Sequence, residues 1–226
     1  MKGSGATDLR EIDRFDGGLG WIAYPDEQMQ RASHALVGDD GVWLVDPVDA
    51  DGLDDLLAEL GEVAGVAVLL NRHARDAGAI AARHGVDVHR PAWMADVDPK
   101  VDAPEGVAIR DTGGRLGDSG YRVEKLTDSF GWREAVAYDP DGRTLVVPES
   151  LGGASYFLAG GEQVGVHPAL RLLPPRALAD YDAERLLVGH GEGVLADAAG
   201  AIRDAIDGSR RRAPGLYLDT VREMFS

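Results

Sequence analysis

Short apolar or β-branched runs at Ile22 to Tyr24, Ala35 to Val37 and Val42 to Val45 are separated by polar turns. This pattern predicts antiparallel strands, and Gly38-Asp39-Asp40-Gly41 is a hairpin turn between the last two. From Asp51 the period changes: Leu53, Leu56, Leu57 and Leu60 recur at helical spacing, with Asp51 as N-cap and Gly61 just past the end. Val66 to Leu70 then reads as a buried strand, Ala74 to His84 as a second helix stopped by Gly85, and Val86 to His89 as a further short strand. The second half offers strands at Val107 to Arg110, Tyr121 to Leu126, Glu134 to Tyr138 and Thr144 to Val147, with Asp139-Pro140-Asp141-Gly142 as the turn between the last two. A Gly- and Pro-rich stretch from Gly152 to Pro175 follows. After it come a short helix near Arg176 to Tyr181, a strand at Leu186 to Val188, a helix from about Val194 to Ile206, and an amphipathic tail helix from Leu216 to Phe225.

Strands alternating with helices predict an α/β protein with mixed sheets covered by helices. Two such halves joined without a linker predict one domain over residues 1–226, built as a four-layer αββα sandwich. The length is enough to bury a sizeable core.

Composition changes the picture in two ways. The net charge of −16 arises from 39 acidic against 23 basic residues, and the only lysines are Lys2, Lys100 and Lys125. This acidic, lysine-poor make-up resembles that of haloarchaeal proteins. It predicts greater stability in concentrated salt, where a Debye length of about 3 Å removes most of the self-repulsion. The same charge argues against nucleic acid as a partner, since phosphate binding needs clustered Lys or Arg. Arg210, Arg211 and Arg212 are the one such cluster, and they read as a solvated linker before the last helix. The chain contains no cysteine, so any metal would need His and carboxylate ligands. No signal-peptide core and no apolar run near the roughly 20 residues of a membrane span is evident, which predicts a cytoplasmic protein without a membrane partner.

Several landmarks carry chemistry by their order along the chain. Val42 to Val45 ends in Asp46; Leu69-Leu70-Asn71-Arg72-His73-Ala74-Arg75-Asp76-Ala77-Gly78 joins a strand to a helix; Asp128 is followed by Gly131; Val147-Pro148-Glu149 ends a strand; and Leu186-Leu187-Val188-Gly189-His190-Gly191 closes one. Together they resemble the metallo-β-lactamase superfamily over roughly residues 20 to 206, with the His-x-His-x-Asp-His loop degenerate. The resemblance places Arg72, Ala74 and Ala77 at the three His positions and keeps Asp76. It puts Asp128 at a later His, Glu149 at a metal-bridging Asp, and His190 at the one family histidine retained. Asp46 would orient a ligand without binding metal itself.

The resemblance implies two readings. Arg72 stands among old carboxylates and pairs naturally with Asp76 or Glu149, so its guanidinium would replace a metal ion. That leaves a non-catalytic or weakly active protein, a pseudoenzyme with no cofactor, whose cleft binds an unknown small molecule. In the alternative, Asp76, Asp128, Glu149 and His190 hold one divalent ion (Zn, Mn or Fe) and hydrolyse esters, thioesters or phosphodiesters, with Asp76 and His190 catalytic. His73 is one residue out of register and reads as a surface or capping residue. His84 and His89 read as structural, and His34 and His167 as the likelier pair to line the cleft. Trp132 and Phe130, beside Gly131, read first as core packing. Ser150 or Ser129 with His190 lacks the Gly-x-Ser-x-Gly elbow of a serine hydrolase.

Overall fold

The computed structural model describes residues 7–129 and 131–224, without the side chains of 218–224. Phe130 and Phe225 lie outside the described residues. The described residues form thirteen strands and three α-helices. A seven-stranded sheet runs in chain order: β1 (Arg10–Phe15), β2 (Gly18–Ile22), β3 (Ala32–Gly38), β4 (Gly41–Val45), β5 (Val63–Ala67), β6 (Val88–Arg90) and β7 (Ile109–Asp111). Its first four strands pair antiparallel and the last four pair parallel. Helices α1 (Leu53–Ala58) and α2 (Ala77–His84) supply the crossovers that parallel pairing requires.

The second sheet has the order β13-β10-β9-β8, from β8 (Arg122–Ser129), β9 (Trp132–Asp139), β10 (Thr144–Val147) and β13 (Arg185–Val188). A small hairpin, β11 (Leu151–Gly152) with β12 (Gly165–Val166), lies beside it, and α3 (Ala198–Met224) closes the chain.

Alternation along the strands sorts side chains into three large cores, and this makes the four layers. In β4, Val42 and Leu44 face α1 and α2 with Leu53, Leu57 and Ile80, while Trp43 and Val45 face the second sheet. In β10, Leu145 and Val147 pack on α3 with Ile202 and Ile206, while Val146 meets Trp43 and Val45 in the central core. Leu187 of β13 joins it there, between Leu186 and Val188 on the helix side.

Three expectations are corrected. Helix α2 starts at Ala77, not Ala74, because residues 71–76 form a loop in which Arg75 takes a left-handed φ of 42°. Residues 10–15 and 18–20 are strand, although their pattern gave no strand signal. The arginines 210–212 are not a linker: α3 runs continuously through them and through Pro214. Arg212 there pairs with Asp204 and with Glu162, a carboxylate whose side chain is fully buried.

Candidate metal centre

The centre lies where strands of both sheets end. Parallel strands β4 and β5 bring Asp46 and the 71–76 loop together, and parallel strands β10 and β13 bring Glu149 and His190 beside each other. Carboxyl ends of adjacent parallel strands are the usual place for a site in an α/β sheet. The two sheets are stitched there by a bridge from Leu70 to Glu134 and by Asn71 N donating to Arg133 O at 3.0 Å.

Asp46 leaves β4 with a left-handed φ of 48°, which aims its buried carboxylate back across the strand ends. One oxygen accepts from Leu69 N at 2.9 Å and the other meets His73 Nδ1 at 2.9 Å. His73 is only 5% exposed. Its expectation as a surface or capping residue is therefore corrected: His73 sits at the middle of the site. The loop is a turn, closed by His73 N donating to Leu70 O, so side chains do not keep the every-second-residue order of an extended motif.

His190 follows Gly189, where a Cβ would stand 2.1 Å from Pro148 O, so the close approach of β13 to the β10 end requires glycine. Its Nδ1 lies 2.9 Å from Met29 O, its ring stacks on Phe157, and its buried Nε2 has no hydrogen-bond partner. A carbonyl only accepts, so Nδ1 carries the proton and Nε2 presents a lone pair. Burial pushes this imidazole down to about 3, with the neighbouring positive charges adding to the effect.

Glu149 completes the group. One of its oxygens lies 3.3 Å from His73 Nε2; the other is 3.1 Å from Arg72 Nη2 and 3.6 Å from His167 Nε2. Burial alone would raise its carboxyl, but the His73 hydrogen bond and the positive charge around it win, and the group is held well below the usual carboxylate range. Ligand atoms of His73, Glu149 and His190 lie within 4.8 Å of one another. Beneath them Glu134, fully buried, accepts from Glu149 N, Ser150 N, Ser150 Oγ and Trp132 Nε1 at 2.5 to 2.9 Å. Burial raises its carboxyl, against the pull of those donors. Ser150 is thus engaged with Glu134 and makes no hydrogen bond to His190.

Two guanidinium groups flank the centre. Arg72 stacks at 4.4 Å over Trp132, donates to Gly131 O at 3.0 Å and is 40% exposed. Arg75 donates to the carbonyls of Ala32, Asp46 and Gly189, and its Nη2 is 3.4 Å from His73 Nε2. Trp132 therefore belongs to the site wall, where its ring also meets His167 edge-on at 4.9 Å.

Of the ligands aligned by resemblance, Glu149 and His190 converge and two do not. Asp128 lies near the end of β8, the edge strand of its sheet, exposed and paired with Lys125 and Arg133. Asp76 lines the neighbouring cleft, but its carboxylate accepts from Asp49 N at 3.0 Å and lies outside the three-donor group. Arg72 pairs with Glu149, not with Asp76. His34 lies fully buried below the centre, with Nε2 3.0 Å from Val188 O; burial pushes it down to about 4. His84 meets Asp54, and His89 packs on Trp43. Beyond His73, the residue pattern gave no sign of Arg75 or Glu134 as part of the site.

No family sequence model matches the chain, and no curated protein sequence is significantly similar to it. Solved structures are. DIM-1 metallo-β-lactamase aligns with a TM-score of 0.63 at 13% identity, over 94% of this chain and 99% of that one. The metallo-β-lactamase from Pontibacter korlensis gives 0.64 at 13%, over 90% and 99%. FIM-1 from Pseudomonas aeruginosa, in its mono-zinc form, gives 0.60 at 11%, over 92% and 97%. The chain has the metallo-β-lactamase fold. At these identities the likeness speaks for the αββα architecture alone. Among the described residues no helix is long and apolar enough to cross a membrane.

Proposed function

We propose that this metallo-β-lactamase-like chain binds one divalent metal ion through His73, Glu149 and His190 and uses it in hydrolysis. The observation that carries the reading is the orientation of the two imidazoles. Each offers its Nδ1 to an acceptor, Asp46 or Met29 O, and so turns Nε2 toward the other donors. Ligating histidines are held in this way by carboxylates and carbonyls behind them. The Nε2 of His190 is buried with no partner, and the Nε2 of His73 faces a carboxylate oxygen at 3.3 Å, where a proton or a cation must lie between two acceptors. Two imidazoles and one carboxylate suit zinc, with a position left open.

A divalent ion in such a donor set supplies Lewis acidity, polarising a carbonyl or phosphoryl oxygen and acidifying a water. The chain's own residues do the rest. Asp46 and Met29 O fix the tautomers, and Glu134 fixes the backbone at Glu149 and the indole of Trp132. His167 Nδ1 accepts from Ala169 N, so its Nε2 carries a proton and presents it toward Glu149 at 3.6 Å, where it can donate.

Esters, thioesters and phosphodiesters are the substrate classes to assay. Cleavage that needs added Zn or Mn, stops with EDTA and is lost in His190→Ala is the expected result; activity surviving both treatments contradicts it. A second reading, a metal-free cleft-binding protein, is favoured by Arg72 on Glu149 and Arg75 on His73, which together supply the positive charge a metal would bring. Protein that takes up no stoichiometric metal would establish that second reading.

A further inference from the structure

A cleft of about 250 Å³ opens beside His73, and Arg31, Arg72, Arg75 and Lys100 line it against one carboxylate, Asp76. This reverses the balance of the chain, in which 39 acidic residues face 23 basic ones and only three lysines occur. Asp76 is itself tied to a backbone N–H of Asp49. Cations so concentrated on an acidic protein need a local reason.

Arg75 gives the first. Its φ of 42° is a left-handed conformation that costs a non-glycine residue of the order of 1 kcal/mol or more and that persists only where surroundings enforce it. The guanidinium this delivers donates to three carbonyls and makes no ion pair, and its buried Nε has no partner. A guanidinium keeps its charge at neutral pH. The second is Arg72. Stacking on Trp132 fixes its plane, and contacts to Gly131 O and Glu149 use two of its five N–H donors. Lys100 lies on the same rim, with Nζ 2.7 Å from Asn71 O, the residue beside Arg72, and 3.4 Å from Asp96 Oδ2, while Arg31 is paired with Glu27.

The charges also add up toward an anion. Asp46 and Glu149 balance Arg72 and Arg75 at the centre. If the metal reading above holds, on which the word substrate rests, a divalent ion leaves that centre doubly positive. We infer that the cleft receives an anionic substrate, whose carboxylate or phosphate group is taken by Arg72 and Lys100 above Arg75.

The test is calorimetric titration of phenylphosphonate and of benzoate into the protein, with and without one equivalent of zinc, at constant ionic strength, with wild type, Arg72→Gln and Arg83→Gln. Arg83 pairs with Asp49 and Asp54 on α2, away from this cleft. Binding of at least one probe, weakened about tenfold or more in Arg72→Gln and unchanged in Arg83→Gln, is expected. Phenylphosphonate alone assigns a phosphate ligand, and benzoate alone a carboxylate. The inference is overturned if neither binds, or if a folded Arg72→Gln protein, judged by its melting curve, binds as tightly as wild type. Zinc uptake measured on the same preparations is independent: anion binding without zinc refutes only the metal reading, and zinc without anion binding refutes only this one.

Discussion

Glu149 and Glu162 are both buried carboxylates facing arginines, yet they are built for opposite ends. Glu162 is saturated. Its oxygens accept from Arg171 Nη1 at 3.1 Å, Arg171 Nη2 at 2.6 Å, Arg212 Nη1 at 3.0 Å and Ala159 N at 2.9 Å. Arg171 is wholly buried, and Ser209 of α3 caps its carbonyl. This network clamps the irregular segment between β11 and β13 onto α3. Glu149 has its partners at 3.1 to 3.6 Å, and the unpartnered His190 Nε2 lies beside it. Saturation marks a structural carboxylate; loose contacts beside an orphaned donor atom mark one that awaits a ligand.

The largest expected effect breaks the clamp. Glu162→Ala leaves a buried guanidinium without its counter-charge and should cost about 3–5 kcal/mol, read as a fall in melting temperature and denaturant midpoint. Glu149→Gln, in metal-free protein, should cost less than Glu162→Ala, because the amide oxygen still accepts from Arg72 and the remaining partners stand at 3.3 to 3.6 Å. Equal losses from the two variants would erase the distinction.

A half-buried carboxylate sharpens it. Asp13 accepts only the Gly193 backbone N–H, and burial, reinforced by Glu192, raises it to about 6 from the ordinary aspartate value of 3.8. Folding therefore favours its neutral form: the contribution is complete below about pH 3.8 and is lost as pH rises through about 6. Asp13→Asn keeps an acceptor for Gly193 and tolerates the left-handed φ of 53°. It should raise stability by about 1–2 kcal/mol at pH 8 and by little at pH 4. Melting curves with no pH-dependent difference between variant and wild type would show that backbone N–H bonds alone satisfy this half-buried carboxylate.

The fold was legible because it follows from alternation. Val42 to Val45 read as a strand from its short apolar run, which the structure buries on both faces, and Gly85 and the Asp139 to Gly142 turn end their elements as their chemistry requires. The region around Arg210 to Arg212 was misread since a run of charge resembles a linker; the partner that docks Arg212, Glu162, is 50 residues away and invisible to local pattern. At the site, Asp46, Glu149 and His190 were legible as strand-ending residues. The loop between was not. Counting along an extended motif assigned the metal to Asp76, and sequence order assigned it to Asp128. Two left-handed residues, Asp46 and Arg75, instead turn the loop so that His73 enters and Asp76 caps a neighbouring backbone. Asp128 failed for a different reason: it belongs to an edge strand, separated from β10 by β9.

The central claim is the identity of the metal donors, and zinc titration followed by calorimetry tests it most directly in wild type, His73→Ala, Asp76→Asn and Asp128→Asn. One zinc per chain in wild type, Asp76→Asn and Asp128→Asn, with binding abolished in His73→Ala, is the predicted result. Binding retained in His73→Ala and lost in Asp128→Asn, or no zinc bound by wild type, would contradict it.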